Sequence, residues 1–385
     1  MIEYLEVKNF KSIKGKKFQF RNLNILLGLN GQGKSSLIQG LLLLRQSNDL
    51  RNNLGWLKLR GDYVNIGNSK DAFYQYAKKD NLQLILKFRD KLPIPFCYEY
   101  KLEEDYLRNI KIKEIDLENE LKSSTEISGL FSDNFQYLSA FRIKPKSTYP
   151  KSNNDVVGNR NIGNDGKYSI HFIETYHDEE VAFENLFHPN SYLVDELLEK
   201  TIINKTLINQ VNLWLGEISP GINVRTTSIN QDEVLLEYDY NQPNYGTTNK
   251  FKPENVGFGI TYALPVIVSL LSAKPGALII IENPESHIHP KGQAELGKLI
   301  ALVAQNNVQI IIETHSDHII NGIRVGIKEE KLNKEKATIF YFKKVVKEAE
   351  QYSKIIDIGI DSNGTLSEEP DGLLDEWGIQ LLKLF

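Results

Sequence analysis

The chain has 385 residues, with 46 Lys and Arg against 50 Asp and Glu, a net charge of −4. That balance excludes a chain that is basic throughout and leaves only a local basic face for nucleic acid; 41% hydrophobic and 25% charged residues exclude disorder as the main state. A single cysteine, Cys97, excludes an internal disulfide or a cysteine-built zinc cage and points to a reducing, cytoplasmic setting, while the acid-bearing start is no leader peptide and no apolar run reaches the roughly 18 residues of a membrane span.

In chain order, Ile2 to Phe10 reads as a strand, Lys14-Gly15-Lys16 as a turn and Phe18 to Phe20 as the returning strand. Leu23 to Leu27 is nearly all apolar and ends in glycine, which predicts a strand buried on both faces. A helix over Ser35 to Gln46 follows. Tyr63 to Ile66, Leu82 to Phe88 and Pro95 to Tyr100 predict an antiparallel meander. Residues 101–130 are charged and predict a hairpin or short helix. Residues 145–170, rich in Asn, Gly, Lys and Ser, predict a long mobile loop whose Asn-rich part, 152–165, is a candidate contact for a partner. Residues 171–217 read as helical and Val234 to Tyr240 as a strand. Then come helix Ile260–Ser272, strand Ala277–Ile281, helix Gly292–Ala304, strand Val308–Ile312, helix Asp317–Lys328 and strand Ala337–Phe342. The tail gives a turn near Gly364 and a short helix, Leu373 to Leu384. Buried strands alternating with helices argue for an α/β fold with a mostly parallel core sheet. Both ends share this grammar and the middle does not. The expected organisation is an N-terminal lobe, 1–145, with an antiparallel β subdomain, an inserted loop and helical region, 146–252, and a C-terminal lobe, 253–385.

The strongest motif is Gly28-Leu-Asn-Gly-Gln-Gly33-Lys34-Ser35, set between a buried strand and a helix. It matches the phosphate-binding pattern G-x-x-x-x-G-K-[ST] in full. Glycines let the backbone N–H groups of Asn30, Gly31, Gln32, Gly33, Lys34, Ser35 and Ser36 curl around a phosphate. The helix start adds partial positive charge. Lys34 reaches the β and γ phosphates, and the Ser35 hydroxyl ligates Mg²⁺. A carboxylate near the metal is then required. Glu282 supplies it at the end of the apolar run Leu278 to Ile281, where ligands collect in open α/β sheets. A third apolar strand ends in Glu313-Thr314-His315, and a histidine there can sense a γ-phosphate. His287 and His289 read as part of a structural turn, with no third metal ligand near them in sequence.

These residues together resemble the ATP-binding-cassette clan of ATPases, in the branch of the SMC, RecF and OLD proteins. More narrowly they resemble the stand-alone bacterial AAA-type ATPases found in anti-phage defence operons. The likeness covers residues 1–46 and about 253–325. It implies an ABC-type P-loop ATPase head, ATP and Mg²⁺ as ligands, and a homodimer closed around two ATP molecules. Lys11 and Ser12 lie where that branch holds the α-phosphate and sugar. Phe135 to Arg142 loosely resembles the segment with the glutamine-loop equivalent. Asn255 to Thr261 stands at signature-motif distance, and Gly257, Phe258, Gly259 and Thr261 would meet the γ-phosphate held by the second copy. In much of the clan Glu follows the acid of the strand and polarises the attacking water; here that position is Asn283, which takes no proton. Glu285 or Glu313 would have to substitute, and slow hydrolysis is expected.

Three uses of ATP remain open. One is a sensor or scaffold for a separately encoded effector, a nuclease or toxin, in phage defence. Another is a RecF-type ATPase that binds double-stranded DNA through Lys8, Lys11, Lys14, Lys16 and Lys17, or through Arg142, Lys144, Lys146 and Lys151, although each run better suits a solvated strand edge or loop. The last is the nucleotide-binding subunit of a transporter, against which the opening strand and the signature block both count.

Overall fold

The computed structural model describes every residue except 49–53, 112–128, 195–199, 203, 243, 371–372, 374–375 and 385. The chain forms two compact units. One gathers Met1–Ser132, Ala337–Gly359 and Leu366–Phe385; the other holds Asp133–Lys336 and Ile360–Thr365.

The first unit opens with β1 (Ile2–Phe10) and β2 (Ile13–Gln19), paired antiparallel with Phe10 opposite Ile13. The chain therefore reverses at Lys11-Ser12, and Lys14 to Lys16 lie inside β2. Asn9 and Lys11 make the reversal by adopting positive φ, 58° and 50°. Strand β3 (Leu23–Leu27) is buried at all five residues: four are apolar, and the fifth, Asn24, satisfies its side chain on the Arg21 backbone. Helix α1 (Lys34–Ser47) buries Leu37, Ile38 and Leu41 to Leu44. After β4 (Trp56–Lys58) and the short helix α2 (Ser69–Ala72) come β5 (Asn81–Phe88), β6 (Ile94–Glu99) and β7 (Tyr106–Arg108). The antiparallel sheet runs β2-β1-β5-β6, and β5 alternates, burying Leu82, Leu84, Leu86 and Phe88. Tyr63 to Ile66 is not a strand: the Gln46 side chain takes both the N–H and the C=O of Val64, and β4 pairs with β7 instead. Most of 112–130, part of the expected hairpin or helix, lies outside the described residues.

The second unit begins with β8 (Phe135–Leu138) and β9 (Thr148–Pro150). The expected loop 145–170 is a brace. Asn161 donates to Phe135 O at 3.0 Å, Ser139 N–H donates to Asn164 O at 2.8 Å, and Val156 and Ile162 are buried. The expected helical stretch 171–217 resolves into α3 (Ser169–Tyr176), the pair β10 (Tyr192–Val194) and β11 (Lys200–Ile202), and α4 (Leu207–Gly216). Strands β12 (Ile222–Ser228), β13 (Glu233–Gln242) and β14 (Gly246–Thr247) form a second antiparallel sheet with β9. Then the α/β alternation runs through α5 (Phe258–Leu271), β15 (Leu278–Glu282), α6 (Pro290–Gln305), β16 (Gln309–Glu313) and α7 (Asp317–Lys328). Within this unit β8, β15 and β16 are parallel, with Ile281 opposite Leu138 and Glu282 opposite Glu313.

The chain returns to the first unit through β17 (Ala337–Val346), parallel to β3, and β18 (Gln351–Ile358), antiparallel to β17. Phe18 of β2 packs edge-on against Phe340 at 5.3 Å and stacks on Phe342 at 6.1 Å. In the tail, helix α8 spans Glu376–Leu382; the start of the expected helix at 374–375 and the last residue lie outside the described residues.

Candidate functional site

In the first unit, β3 hands the chain to α1 through the loop Gly28 to Gly33. Gly33 caps the helix with φ 98°, and a Cβ there would run into the hydroxyls of Ser12 and Ser353. Those hydroxyls, 2.8 Å apart, lace the loop to the β1–β2 turn and to β18; Ser353 Oγ also donates to Gln32 O at 2.6 Å. Lys344 N–H donates to the Gln32 side chain. Lys34 is only 4% exposed, and its ammonium donates to Gly28 O at 2.7 Å and Leu29 O at 3.1 Å. A buried cation and a helix N-terminus thus converge inside one loop, which selects for an anion. Ser35 is half-buried at the helix start, Ser36 is buried, and Asn30 and Gly31 are exposed.

Beside this loop opens a cleft of about 350 Å³, lined by Ser12 and Gly31, by Phe73, Tyr74 and Tyr76, and by Tyr352 of β18. Its size and aromatic lining suit a planar ring. Lys11 also lines it, donating to the Gln39 side chain at 2.8 Å, and burial pulls its pKa down. The other lysines of the opening are paired. Lys14 meets Glu350 at 2.9 Å, Lys16 meets Asp357 at 2.7 Å, Lys8 meets Glu6 at 2.6 Å, and Lys17 sits 3.7 Å above the Tyr4 ring.

In the second unit, β15 ends at Glu282. Both its carboxylate oxygens are held from β8 and the residues just after it: Tyr137 OH donates at 3.1 Å and the Ala140 N–H at 3.2 Å. Burial pushes the carboxyl pKa up, and these two donors and Arg142 pull it back. Asn283 follows with φ 46°, its N–H on Glu313 O at 2.7 Å. Asparagine tolerates this left-handed backbone better than most other non-glycine residues do. The Glu285 carboxylate accepts from Thr314 Oγ1 at 2.8 Å and from the His315 N–H at 2.9 Å, tying the turn to the end of β16. Glu313 is buried, while the His315 side chain is exposed.

The segment expected to act as a signature block, Gly257 to Thr261, behaves in two ways. Gly257 has open space around its Cα and Phe258 is 58% exposed, so the start of α5 is presented outward. Gly259 lies against the turn after β15: a Cβ there would collide with His287 O. The His287 ring, on a residue with φ 63°, rests 4.8 Å from the Tyr262 ring. Thr261 turns into the core, 3% exposed with its hydroxyl buried. Among the described residues no group of three or more His, Cys, Asp or Glu is arranged to hold a metal. His289 caps α6, its side chain accepting from the Lys291 N–H at 3.3 Å.

Sequence reasoning missed the supports. Arg142, grouped above with exposed lysines, is 5% exposed; it donates to Glu282 O at 2.7 Å and to Asn283 O at 3.0 Å. Gln136, on the segment likened to the glutamine loop, is braced against Ile162 N–H and Gly163 O. Neither role has a local signal, because the partners lie 26 to 141 residues away.

Residues 23–321 match the family described as "AAA domain, putative AbiEii toxin, Type IV TA system", and residues 332–384 match a family of unknown function, DUF3696. A Helicobacter pylori protein named ATP/GTP phosphatase is 21% identical over 340 residues, 86% of this chain and 89% of its own. Two solved structures share the fold. One is an SMC head bound to the C-terminal winged-helix domain of ScpA (TM-score 0.50, 13% identity, 93% of this chain and 98% of that one). The other is an SMC head with an extended coiled coil, bound to a ScpA C-terminal domain derived from Pyrococcus furiosus (TM-score 0.50, 13% identity, 100% of this chain and 98% of that one). With its phosphate-loop motif and its parallel strands ending in Glu282 and Glu313, the chain belongs to this AAA-domain family and has the fold of an SMC head.

Proposed function

We propose that the protein binds ATP, hydrolyses it slowly, and pairs with a second copy around two ATP molecules, acting in the cytoplasm as the sensor or scaffold for a separately encoded effector in anti-phage defence. The observation that carries the nucleotide part is Lys34, buried within its glycine loop at the start of α1. In this reading Lys34 carries the phosphate charge, His315 senses the γ-phosphate, and Gly257 to Gly259 face the nucleotide of the other copy. Ser35 and Glu282 would hold Mg²⁺, which neutralises charge on the phosphates. A hydroxyl and one carboxylate suit this ion, which keeps most of its positions for phosphate oxygens and water. With Asn283 in place of a carboxylate and Glu285 tied to Thr314 and His315, there is no strong base in the usual position, which supports slow turnover.

The effector part rests on the family, whose description names a toxin and a toxin–antitoxin system. The name of the Helicobacter pylori relative supports hydrolysis. No described helix is long and apolar enough to cross a membrane. The DNA reading draws nothing from the opening lysines, which are occupied by Glu6, Glu350, Asp357 and Tyr4. The test is ATP turnover by the purified protein, with and without double-stranded DNA, alongside light scattering. Slow turnover indifferent to DNA, with ATP-dependent association, is expected; strong stimulation by DNA would replace the scaffold reading with the RecF-type one.

A further inference from the structure

Strand geometry makes successive carbonyls point in opposite directions. At the end of β15 they do not: the carbonyls of Glu282 and Asn283 both accept from the one planar guanidinium of Arg142, at 2.7 and 3.0 Å. Two consecutive carbonyls can face one fork only if the residue between them leaves the extended region. Asn283 does so, with φ 46°. The fork and the left-handed residue are therefore one arrangement, and a point-like ammonium could not impose it. Asn283 O is further held by Ser286, whose N–H and hydroxyl donate at 3.2 and 3.0 Å.

Arg142 itself is costly to place. It is 5% exposed, and burial lowers its pKa to about 10, still far above neutrality, so it stays charged. Its Nε is buried without a hydrogen-bond partner. A buried cation that satisfies backbone carbonyls rather than a carboxylate is poor material for stability. What it does instead is fix direction. The same short segment that supplies Arg142 also clamps both oxygens of Glu282 through Tyr137 and Ala140. The turn it sets carries Glu285 to Thr314 and His315.

We propose that Arg142 is a positioning residue for ATP hydrolysis, holding Asn283 in the left-handed conformation and thereby setting the direction of the chain that follows Glu282. This rests on the ATPase reading above. The experiment is a double-mutant cycle in the full chain, Arg142→Gln and Asn283→Gly, with kcat, ATP affinity and melting temperature measured for each form. Glycine adopts positive φ without a fork to enforce it. Arg142→Gln should lower kcat about tenfold in the parent, with ATP affinity changed less than about twofold, and should lower kcat less than about twofold once Asn283 is Gly. An equal loss on both backgrounds, or a parallel loss of affinity, would overturn the proposal. If Arg142→Gln does not fold, Arg142→Lys completes the same cycle, since lysine keeps the charge and loses the fork. Lys34→Ala serves as the reference: if it leaves turnover unchanged, the ATPase reading fails and not merely the role of Arg142.

Discussion

In the loop Gly28 to Gly33 the backbone itself carries the candidate site. In the turn after β15, side chains drawn from distant segments do. The loop needs glycine at Gly33 because Ser12 and Ser353 close over it, and its one charged group, Lys34, bonds to the loop's own carbonyls. The turn is held from outside by Tyr137, Arg142 and Thr314, with Ser286 closing it from within on Asn283 O. A site made of backbone writes itself into a short contiguous motif. One made of side-chain brackets scatters its determinants along the chain, and substitutions there act through neighbours.

The contrast can be broken at its strong end first. Lys34→Ala removes the only charge in the loop, and ATP affinity should fall at least about 100-fold, the worth of roughly 3 kcal/mol of charge-assisted bonding. Unchanged affinity by calorimetry would show that the backbone alone suffices. A pair of glycine changes sharpens the other end. Gly259→Ala forces a Cβ into His287 O and should cost about 1–3 kcal/mol of stability, read as a lower melting temperature. Gly257→Arg meets open space and should leave the melting temperature alone while abolishing ATP-dependent association by light scattering. Equal melting temperatures for both variants would remove the distinction drawn within the signature block.

Next in size is the aromatic cleft. Tyr352→Ala should weaken ATP about tenfold, the order of one stacking contact, and leave inorganic tripolyphosphate binding unchanged. Equal weakening of both would place the effect in the loop. The smallest effect is on pH dependence. Burial lowers the pKa of His171 and of His188, and His171 Nδ1 accepts the Ser152 N–H at 3.1 Å, a bond that protonation destroys. A depressed pKa means that the unfolded chain binds the proton first. The stability due to these groups is present above 6.5, their ordinary value, and lost as pH falls through the folded values. The melting temperature should drop from about pH 7.5 to about pH 5, and less so in a His171→Gln, His188→Gln double variant.

How much was legible follows from the same contrast. The buried run Leu23 to Leu27 and the alternation of β5 are local patterns, so strand positions followed from them. Helix α7 carries its start in Ser316 and Asp317. The stretch 171–217 misled because it is divided among two short α-helices, two single 3-10 turns and a strand pair, none long enough to show a period. Strand β18 escaped because Ser353, polar by type, is one of its buried positions, turned toward Ser12 and Gln32. Arg142 reads as surface charge until the carbonyls it binds are in place.

The lacing of the glycine loop by Ser353 and Lys344 has a consequence for synthesis. A ribosome releases Gly28 to Gly33 more than 300 positions before the two residues that hold Gln32, since Gln32 and Ser353 are 321 apart. The parallel neighbour of β3 within its unit, β17, is equally late. Residues 133–336 are contiguous and emerge as one block in between. The nucleotide loop thus belongs to the unit that closes last, through contacts of high sequence separation that are slow to form. A chain interrupted before β17 would leave β3, with its four buried apolar residues, without that partner, which makes the unfinished N-terminal unit the segment most in need of a chaperone.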